Sequence, residues 1–440
     1  MDSFPLGRSD IFLDIVDYDQ KKSGLAGNNV QFIVWLDGSP GRKRFENILA
    51  QSPSACLSSI CLESRFLKGR CWMMKEARAG KMRPFFSYHH VKDEDQYDLL
   101  LDEIVNRPID LSTPPVFRLD LVESSVRRAC LCLTWHHLLT DARGGEMLFR
   151  SLSGVHVQGV QASCPSVPGD AVSRGLLQSL EQARQFKPMV RRMKECGVKS
   201  PAAAVSVDNV HLESIYTVLS VEESGTFSRR ARDVHPLFGE TAMMMAACLK
   251  AVHELIPHEQ RHGGYVVPVP LSNRHVQEAL SASWQPGNRV SICFIPVSME
   301  QVEGLDVHAL AGLVAAEFRE QITSGLPEAA EAAMDVARLF PRGMYRWIMR
   351  DSMDGQLCSF YFSNTGPVTV GGPEGQAFSI AGRRVRACFH RPMVSHPPGA
   401  GFFFSTYDCR LHFTTCFVPG AVSRHSAKKA AQRIRSILAE

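Results

Sequence analysis

Two adjacent segments of alternating hydrophobicity, 116–122 and 128–135, constrain the fold of this 440-residue chain more than any other feature. Alternate apolar residues lie on one face of an extended chain, so each segment predicts a β-strand. The residues between them, Glu123-Ser124-Ser125, form a plausible turn. The two segments therefore predict a β-hairpin, and after residue 141 the apolar spacing becomes helical.

Strand-like and helix-like segments alternate along the rest of the chain, which is typical of an α/β fold with α+β layers. The predicted strands outside the hairpin are 29–36, 215–219, 265–271, 290–297, 359–362, 401–407 and 411–418. The predicted helices are 42–50, 173–196, 241–256 and 427–438, the last of them a solvated surface helix.

A connection rich in glycine and proline, followed by a basic helix, separates the two halves of the chain. We predict an N-terminal subdomain over residues 1–170, a crossover over 171–205 and a C-terminal subdomain over 206–440.

The composition excludes several classes of protein. A net charge of only +4, without basic runs interleaved with aromatic residues, argues against nucleic-acid binding. No segment approaches the roughly 18 apolar residues of a membrane-spanning helix, and the first residues do not resemble a secretory signal. Thirteen scattered cysteines without a Cys-x-x-Cys pair indicate reduced, structural thiols and a cytoplasmic protein.

The segment from His136 to Asp141 carries the chemistry. The second predicted strand of the hairpin runs directly into His136 and His137, and Asp141 lies at the start of the following helix. An imidazole with a pKa near 6.5 can accept a proton from a hydroxyl, amine or thiol at neutral pH. The glycines Gly144 and Gly145 allow a close approach of the chain behind this turn. A His-x-x-x-Asp spacing alone is weak, because a histidine in such a segment is more often structural.

A metal site is the weaker alternative. His89-His90, near Asp93 and Asp95, lies in a charged, loop-like stretch and lacks the helical His-x-x-x-His spacing of a zinc site. We therefore interpret these residues as surface histidines. Metal-assisted hydrolysis would need three ligands that the sequence does not identify, so we predict no metal.

Three segments in order, 107–111, 115–119 and 136–141, resemble the condensation-domain and CoA-dependent acyltransferase superfamily, whose motif is His-His-x-x-x-Asp-Gly. This group includes chloramphenicol acetyltransferase, peptide-synthetase condensation domains and wax ester synthases. The later segments 270–274, 287–297 and 363–367 agree with the family pattern in order. Ala142 stands where the family usually has glycine, and the usual arginine segment is missing from 51–72, so Arg65, Arg70 and Arg274 are only candidate partners for Asp141.

The resemblance implies a fold of two chloramphenicol-acetyltransferase-like subdomains that form a V-shaped pseudo-dimer around a central tunnel. It implies that His137 is the general base, that Asp141 organises the loop and that His136 supports them. Ser363 would stabilise an oxyanion. The other residues that we expect at the substrate are Asn364, Asn288, Arg274 and Trp135.

The resemblance also implies the reaction. An acyl group would pass from a thioester of coenzyme A, or of the phosphopantetheine of an acyl or peptidyl carrier protein, to a small hydroxyl or amine acceptor. The product would be an ester or amide in specialised-metabolite or lipid biosynthesis, made by a monomer without a tightly bound cofactor. The alternative is a catalytically degenerate relative that binds a carrier protein or another partner.

Overall fold

The chain was analysed as a computed structural model, which describes residues 3–65, 69–75, 85–124, 129–155, 175–202, 210–274, 284, 286–351, 355–372 and 377–440. The strands in this part are β1 (Ser3–Pro5), β2 (Asn29–Leu36), β3 (Ile60–Arg65), β4 (Gly69–Met74), β5 (Phe86–Val91), β6 (Phe117–Ser124), β7 (Ala129–His136), β8 (Glu213–Val218), β9 (Gly264–Ser272), β10 (Val290–Ser298), β11 (Tyr361–Pro367), β12 (Ser379–Ile380), β13 (Arg383–Pro392), β14 (Ala400–Tyr407) and β15 (Arg410–Phe417).

The helices in the same residues are α1 (Arg8–Lys22), α2 (Arg42–Gln51), α3 (Glu94–Asn106), α4 (Ala142–Ser153), α5 (Leu176–Gln185), α6 (Lys187–Cys196), α7 (Val221–Val234), α8 (Gly239–His253), α9 (Met299–Gly304), α10 (Val307–Thr323), α11 (Leu326–Ala337), α12 (Arg342–Asp351) and α13 (Arg424–Ala439). Short 3₁₀ helices occupy Pro53–Ser59 and His258–Gln260.

The largest sheet holds the predicted hairpin. Its strand order is β12-β13-β2-β7-β6-β5, and β6 pairs with β7 in antiparallel register, which confirms the hairpin. Every residue of β7 is buried, because strands flank it on both sides and α4 packs on the sheet. The last residue of this central strand is His136, so the fold places the histidine pair at the end of the strand, with His136 buried and His137 half-buried.

The second half of the chain contributes to this sheet as well as forming its own. The strand β13 pairs with β2, although about 350 residues separate them in sequence. The remaining strands of the second half form a four-stranded sheet, β11-β14-β15-β8, and an antiparallel pair, β9 and β10. The two halves are therefore interlocked by β13, while the predicted subdomain bounds stay a prediction.

A second core surrounds α8, which packs against α7, α10 and α13. Its methionines, Met243 to Met245, are fully buried in this core. In the C-terminal helix α13, Ala431, Ile434 and Leu438 face the core while the lysines are exposed. This is the amphipathic arrangement predicted for 427–438.

Two local expectations differ from the structure. The predicted helix 173–196 is divided into α5 and α6 at Phe186, where Pro188 starts a new helix because it cannot donate a backbone hydrogen bond. His89 and His90 lie in the strand β5 rather than in a loop, and His89 Nε2 is 2.8 Å from Asp120 Oδ1 of the neighbouring strand. The residues of β5 are too polar to predict a strand from the sequence. Its extended conformation depends on parallel pairing with β6. Of the predicted turn, Glu123 and Ser124 belong to β6, whereas Ser125 lies outside the described residues. Residues 171–174 and 203–205 of the predicted crossover also lie outside them.

In the described part of the chain, no group of three metal-ligating side chains occurs. None of the helices described is long and apolar enough to cross a bilayer. The twelve cysteines described are free thiols, and most of them are buried.

Candidate active site

The candidate site is built where β7 ends and α4 begins. His137 leaves the strand and donates its backbone N–H to the carbonyl of Asn28, at 2.7 Å. Four residues later, Asp141 is the N-cap of α4, and its Oδ1 accepts the backbone N–H of Gly144 at 2.8 Å. Because a capping carboxylate fixes the first turn of a helix, the connection between strand and helix is held at both ends.

His136 points away from this connection into the protein. Its Nε2 is 2.9 Å from Asp17 Oδ1, and its Nδ1 accepts the backbone N–H of Leu138 at 3.2 Å. Burial by itself would raise the pKa of Asp17, but hydrogen bonds and charges from His136 and Lys21 outweigh it and lower that pKa. His136 is fully buried and does not border the cavity described below, which agrees with the supporting role expected of it.

His137 has a different set of partners. Its Nδ1 lies 3.2 Å from Oδ1 of Asn288, on the other half of the chain. The Nδ2 of Asn288 donates to Asp10 Oδ1 at 2.7 Å and to the carbonyl of His137 at 2.8 Å. Those two acceptors fix the orientation of the amide, so its oxygen faces the imidazole and must accept a hydrogen bond from Nδ1–H. The Nε2 of His137 then carries no proton, and its lone pair can accept one.

Burial keeps His137 neutral. It lowers the pKa of the imidazole below the usual value of 6.5, and the nearby carboxylate of Asp141 only partly opposes this shift. Burial also raises the pKa of Asp10 to about 6, although the hydrogen bonds from Asn288 and Gly7 stabilise its charged form. Above about pH 6, therefore, Asp10 is mainly the anion that orients Asn288.

The arginine partner of Asp141 is Arg274, which the sequence leaves undecided. Arg274 Nε lies 3.0 Å and 2.9 Å from the two carboxylate oxygens of Asp141, and its Nη2 donates to Thr140 Oγ1 and to the carbonyl of Gly287. The other candidate whose side chain is described, Arg70, pairs with Asp14 instead. Arg274 comes from the end of β9, so the pair ties the two halves together beneath the motif.

The glycines behind the motif allow the close packing that their sequence suggests. A Cβ atom on Gly145 would lie 2.4 Å from the ring of Trp135, and one on Gly144 would collide with Thr140. Trp135 is fully buried, and its Nε1 donates to the carbonyl of Thr140 at 3.0 Å. The first turn of α4 therefore packs directly on the strand that carries the histidines.

His137 borders a cavity of about 850 Å³ between the two halves of the chain. One face of α1 lines it, together with parts of α5, α6, α11 and α12 and of the strands β9, β10, β11 and β13, and the lining side chains are mostly apolar. Of the predicted site residues, it brings together His137, Asp141, Asn288, Ser363 and Asn364. Apolar walls with a few polar groups are typical of small-molecule sites.

Trp135 and Arg274 lie elsewhere. Neither side chain borders the cavity, in contrast to the expectation that both contact substrate. Both are buried behind the motif, where they hold the loop from 137 to 141 in place. Which way a side chain points depends on how the strands pair, and this the sequence does not show.

Sequence reasoning misses a second buried histidine of the cavity. His390, on β13, borders the cavity, and its Nε2 lies 3.7 Å from Glu146 Oε1 of α4. Burial lowers the pKa of His390 to about 4. No short motif surrounds it, and only the pairing of β13 with β2 brings it to the site.

Comparison with known proteins bears on the fold. No protein-family profile matches the chain, and no curated protein matches it in sequence. The first condensation domain of the CDA synthetase aligns with a TM-score of 0.67 at 12% identity, over 100% of this chain and 96% of that one. TRI3 trichothecene 15-O-acetyltransferase from Fusarium sporotrichioides aligns with a TM-score of 0.68 at 11% identity, over 99% and 95%.

The chain has the condensation-domain fold. The expectation of a chloramphenicol-acetyltransferase-like pseudo-dimer is thereby confirmed. A third structure of this fold, the starter condensation domain of rhizomide synthetase in complex with C8-CoA and Leu-SNAC, aligns with a TM-score of 0.62 at 13% identity, over 99% of this chain and 94% of that one.

The ion pair beneath the motif gives a prediction of stability. Replacing Arg274 by methionine leaves the buried carboxylate of Asp141 without its counter-charge, so we expect Arg274→Met to lower the free energy of unfolding by about 3–5 kcal/mol. Urea denaturation followed by circular dichroism measures this loss. The matched control is Arg42→Met, which removes the exposed pair with Glu46 and should have little effect. Equal effects of the two substitutions would contradict the prediction.

Proposed function

We propose that this chain is an acyltransferase that transfers an acyl group from a thioester to a hydroxyl or amine acceptor, with His137 as the general base. The single observation that carries the proposal is the hydrogen bonding of His137. Its Nδ1 faces the oxygen of Asn288, which leaves a neutral, unprotonated Nε2 on a side chain that borders the cavity. This is the protonation state that a general base requires.

The reaction balances with His137 alone as the proton carrier. Its Nε2 takes the proton from the acceptor oxygen or nitrogen as that atom attacks the thioester carbonyl carbon. The tetrahedral intermediate collapses as the carbon–sulfur bond breaks, and the proton passes from Nε2 to the leaving sulfur. The products are an ester or amide and a free thiol, without an acyl-enzyme. We assign Ser363, whose strand β11 lines the cavity, to the oxyanion and Asn364 to the substrate.

The carrier of the acyl thioester is proposed from solved structures that share this fold. One structure with this fold binds C8-CoA, and another is a cyclization-docking bidomain of a peptide synthetase, aligned with a TM-score of 0.60 at 11% identity. Both acyl-CoA and an acyl or peptidyl carrier protein carry the acyl group on a phosphopantetheine thioester. We therefore propose that thioester as co-substrate and choose between its two carriers by experiment.

The rival function is a catalytically degenerate module that binds a carrier protein or another partner. Ala142 in place of the usual glycine favours it. The intact arrangement of His137, Asn288 and Asp141 favours the enzyme, because a binding module would not need a neutral imidazole with a free nitrogen at the cavity.

The first test removes the base. We expect His137→Ala to lower the rate of thiol release from a panel of acyl-CoAs and acyl-carrier proteins, with alcohol and amine acceptors, by about 10²–10⁴-fold. His137→Gln, which preserves the size and polarity of the side chain, should lose as much. The exposed His425→Ala on α13 is the control and should retain wild-type turnover.

Two results would count against this proposal. Turnover that survives both substitutions of His137 would refute its role as base. Absence of turnover by the wild-type chain with every donor and acceptor would favour the binding module.

The pKa shifts at the site predict the pH dependence. The base works only when His137 is unprotonated, and its pKa lies below 6.5. We therefore expect kcat/KM to be constant above about pH 7 and to fall as the pH decreases through 6, where Asp10 also becomes protonated and Asn288 loses its anionic anchor. Rates measured from pH 5 to 9 test this, and a decrease centred above pH 7 would contradict it.

Asn288 should act as a positioning residue. We expect Asn288→Ala to lower kcat about 10-fold, the equivalent of one hydrogen bond, because Nδ1 loses its acceptor and the tautomer with a free Nε2 is no longer favoured. The ¹⁵N chemical shifts of the His137 imidazole report the tautomer directly. The exposed Asn273→Ala, which lies outside the cavity, is the control. Unchanged shifts would contradict the positioning role.

A further inference from the structure

Gln20 is a buried amide without a partner. It lies in the last turn of α1, is 1% exposed, and borders the cavity. In the described part of the chain, neither its Oε1 nor its Nε2 makes a hydrogen bond. Buried amides in native proteins are nearly always hydrogen-bonded, because an unsatisfied donor or acceptor has lost its water without gaining anything in return.

Tyr345, on α12, has the same property. It is 4% exposed, it borders the cavity, and its hydroxyl makes no hydrogen bond within the described residues. Burial raises the pKa of Tyr345, so the phenol stays neutral and its hydroxyl can both donate and accept a hydrogen bond.

An ion-pair cluster places Gln20 and Tyr345 at the same end of the cavity. Asp19, the neighbour of Gln20, pairs with Arg346, the neighbour of Tyr345, and also with Arg350 at 3.1 Å. This cluster holds α12 against the end of α1. The two unsatisfied side chains are therefore carried by the two helices that meet at this cluster.

A buried glutamine elsewhere in the chain shows what a structural role looks like. Gln31, on β2, is fully buried, but its Nε2 donates to Thr134 Oγ1 at 3.3 Å and its Oε1 accepts from Arg391 at 3.2 Å. Tyr265 is likewise fully buried, and its hydroxyl is 3.0 Å from His253 Nδ1. Gln20 and Tyr345 lack such partners and differ from these two residues in bordering the cavity.

We propose that Gln20 and Tyr345 form a second polar contact in the cavity, which binds an uncharged amide or hydroxyl group of a substrate that is otherwise apolar. This inference rests on the proposed acyl transfer. The amide offers N–H donors and a carbonyl acceptor, and the phenol hydroxyl can also donate and accept, so the complementary group is one that does both. The apolar walls around them disfavour a charged ligand. The polar group belongs either to the acceptor or to the acyl chain, and the experiment separates these sources.

The first arm of the test needs no substrate. Gln20→Leu and Tyr345→Phe replace unsatisfied polar groups by apolar ones, so we expect the Tm of the free protein to stay the same or rise. The matched controls Gln31→Leu and Tyr265→Phe remove satisfied hydrogen bonds and should lower Tm by about 2–4 °C. A loss at Gln20 or Tyr345 equal to that of the controls would overturn the proposal, because it would mean that a structural partner or a permanent water satisfies them.

The second arm uses matched substrates. The first comparison varies the acceptor: octanoyl-CoA is given with 1-alkanols or with α,ω-alkanediols of 6 to 12 carbons. The second comparison varies the acyl chain: 8-hydroxyoctanoyl-CoA and octanoyl-CoA are given with the same alkanol. We expect the extra hydroxyl to raise kcat/KM of the wild type about 5–10-fold in one of the two comparisons, which identifies the source. Gln20→Leu should reduce that ratio to about 1. An unchanged ratio would overturn the proposal.

The two proposals fail in different ways. His137→Ala should abolish turnover of both series, whereas Gln20→Leu should abolish only the preference for the hydroxylated substrate. If the wild type turns over neither series nor any donor and acceptor of the panel above, the proposed function fails. The subsite is then tested by the Tm of the protein with each alcohol. We expect 1,10-decanediol to raise Tm more than 1-decanol does in the wild type, and the two alcohols to raise it equally in Gln20→Leu. The same difference between the two alcohols in both proteins would overturn the subsite.

Discussion

The buried ion pair between Asp141 and Arg274 is the interaction on which the candidate site depends. Asp141 caps α4 from the first half of the chain, and Arg274 comes from the end of β9 in the second. The same arginine also holds Thr140 and Gly287, so the loop after the histidines is fixed from below by the opposite half. Because a buried charge is stable only with its partner, the shape of this loop depends on the docking of the two halves.

The docking of the halves also sets the chemistry of His137. The Oδ1 of Asn288, from the second half, accepts a hydrogen bond from Nδ1, and Asp10, from the first, fixes the amide of Asn288. Burial lowers the pKa of His137, which keeps the ring neutral near pH 7. General-base catalysis needs a neutral ring with one unprotonated nitrogen. Here Asn288 and Asp10, one residue from each half, determine which nitrogen that is.

The cavity is wide and mostly apolar, with polar groups at separate positions. His137 and Asn288 lie at one of them, and Gln20 and Tyr345 lie where α1 meets α12. Apolar walls give affinity without orientation, whereas hydrogen bonds at two separated points fix how a substrate lies. A substrate with one reactive group and one recognised group would therefore be held in a single orientation for attack on the thioester.

The sequence by itself determines the local elements and singles out His137 as the proposed base. The hairpin of β6 and β7 follows from alternation, and the order of segments around His137 and Asp141 identifies the fold and the motif. It does not determine the partners of these residues. Arg274, Asn288 and His390 reach the site only through strand pairing and the docking of two halves, and Gln20 stands in an ordinary polar position of α1. Hydrophobic periodicity encodes which face of an element is buried, but contacts between residues more than 100 positions apart depend on how the faces pack, which only the tertiary structure decides.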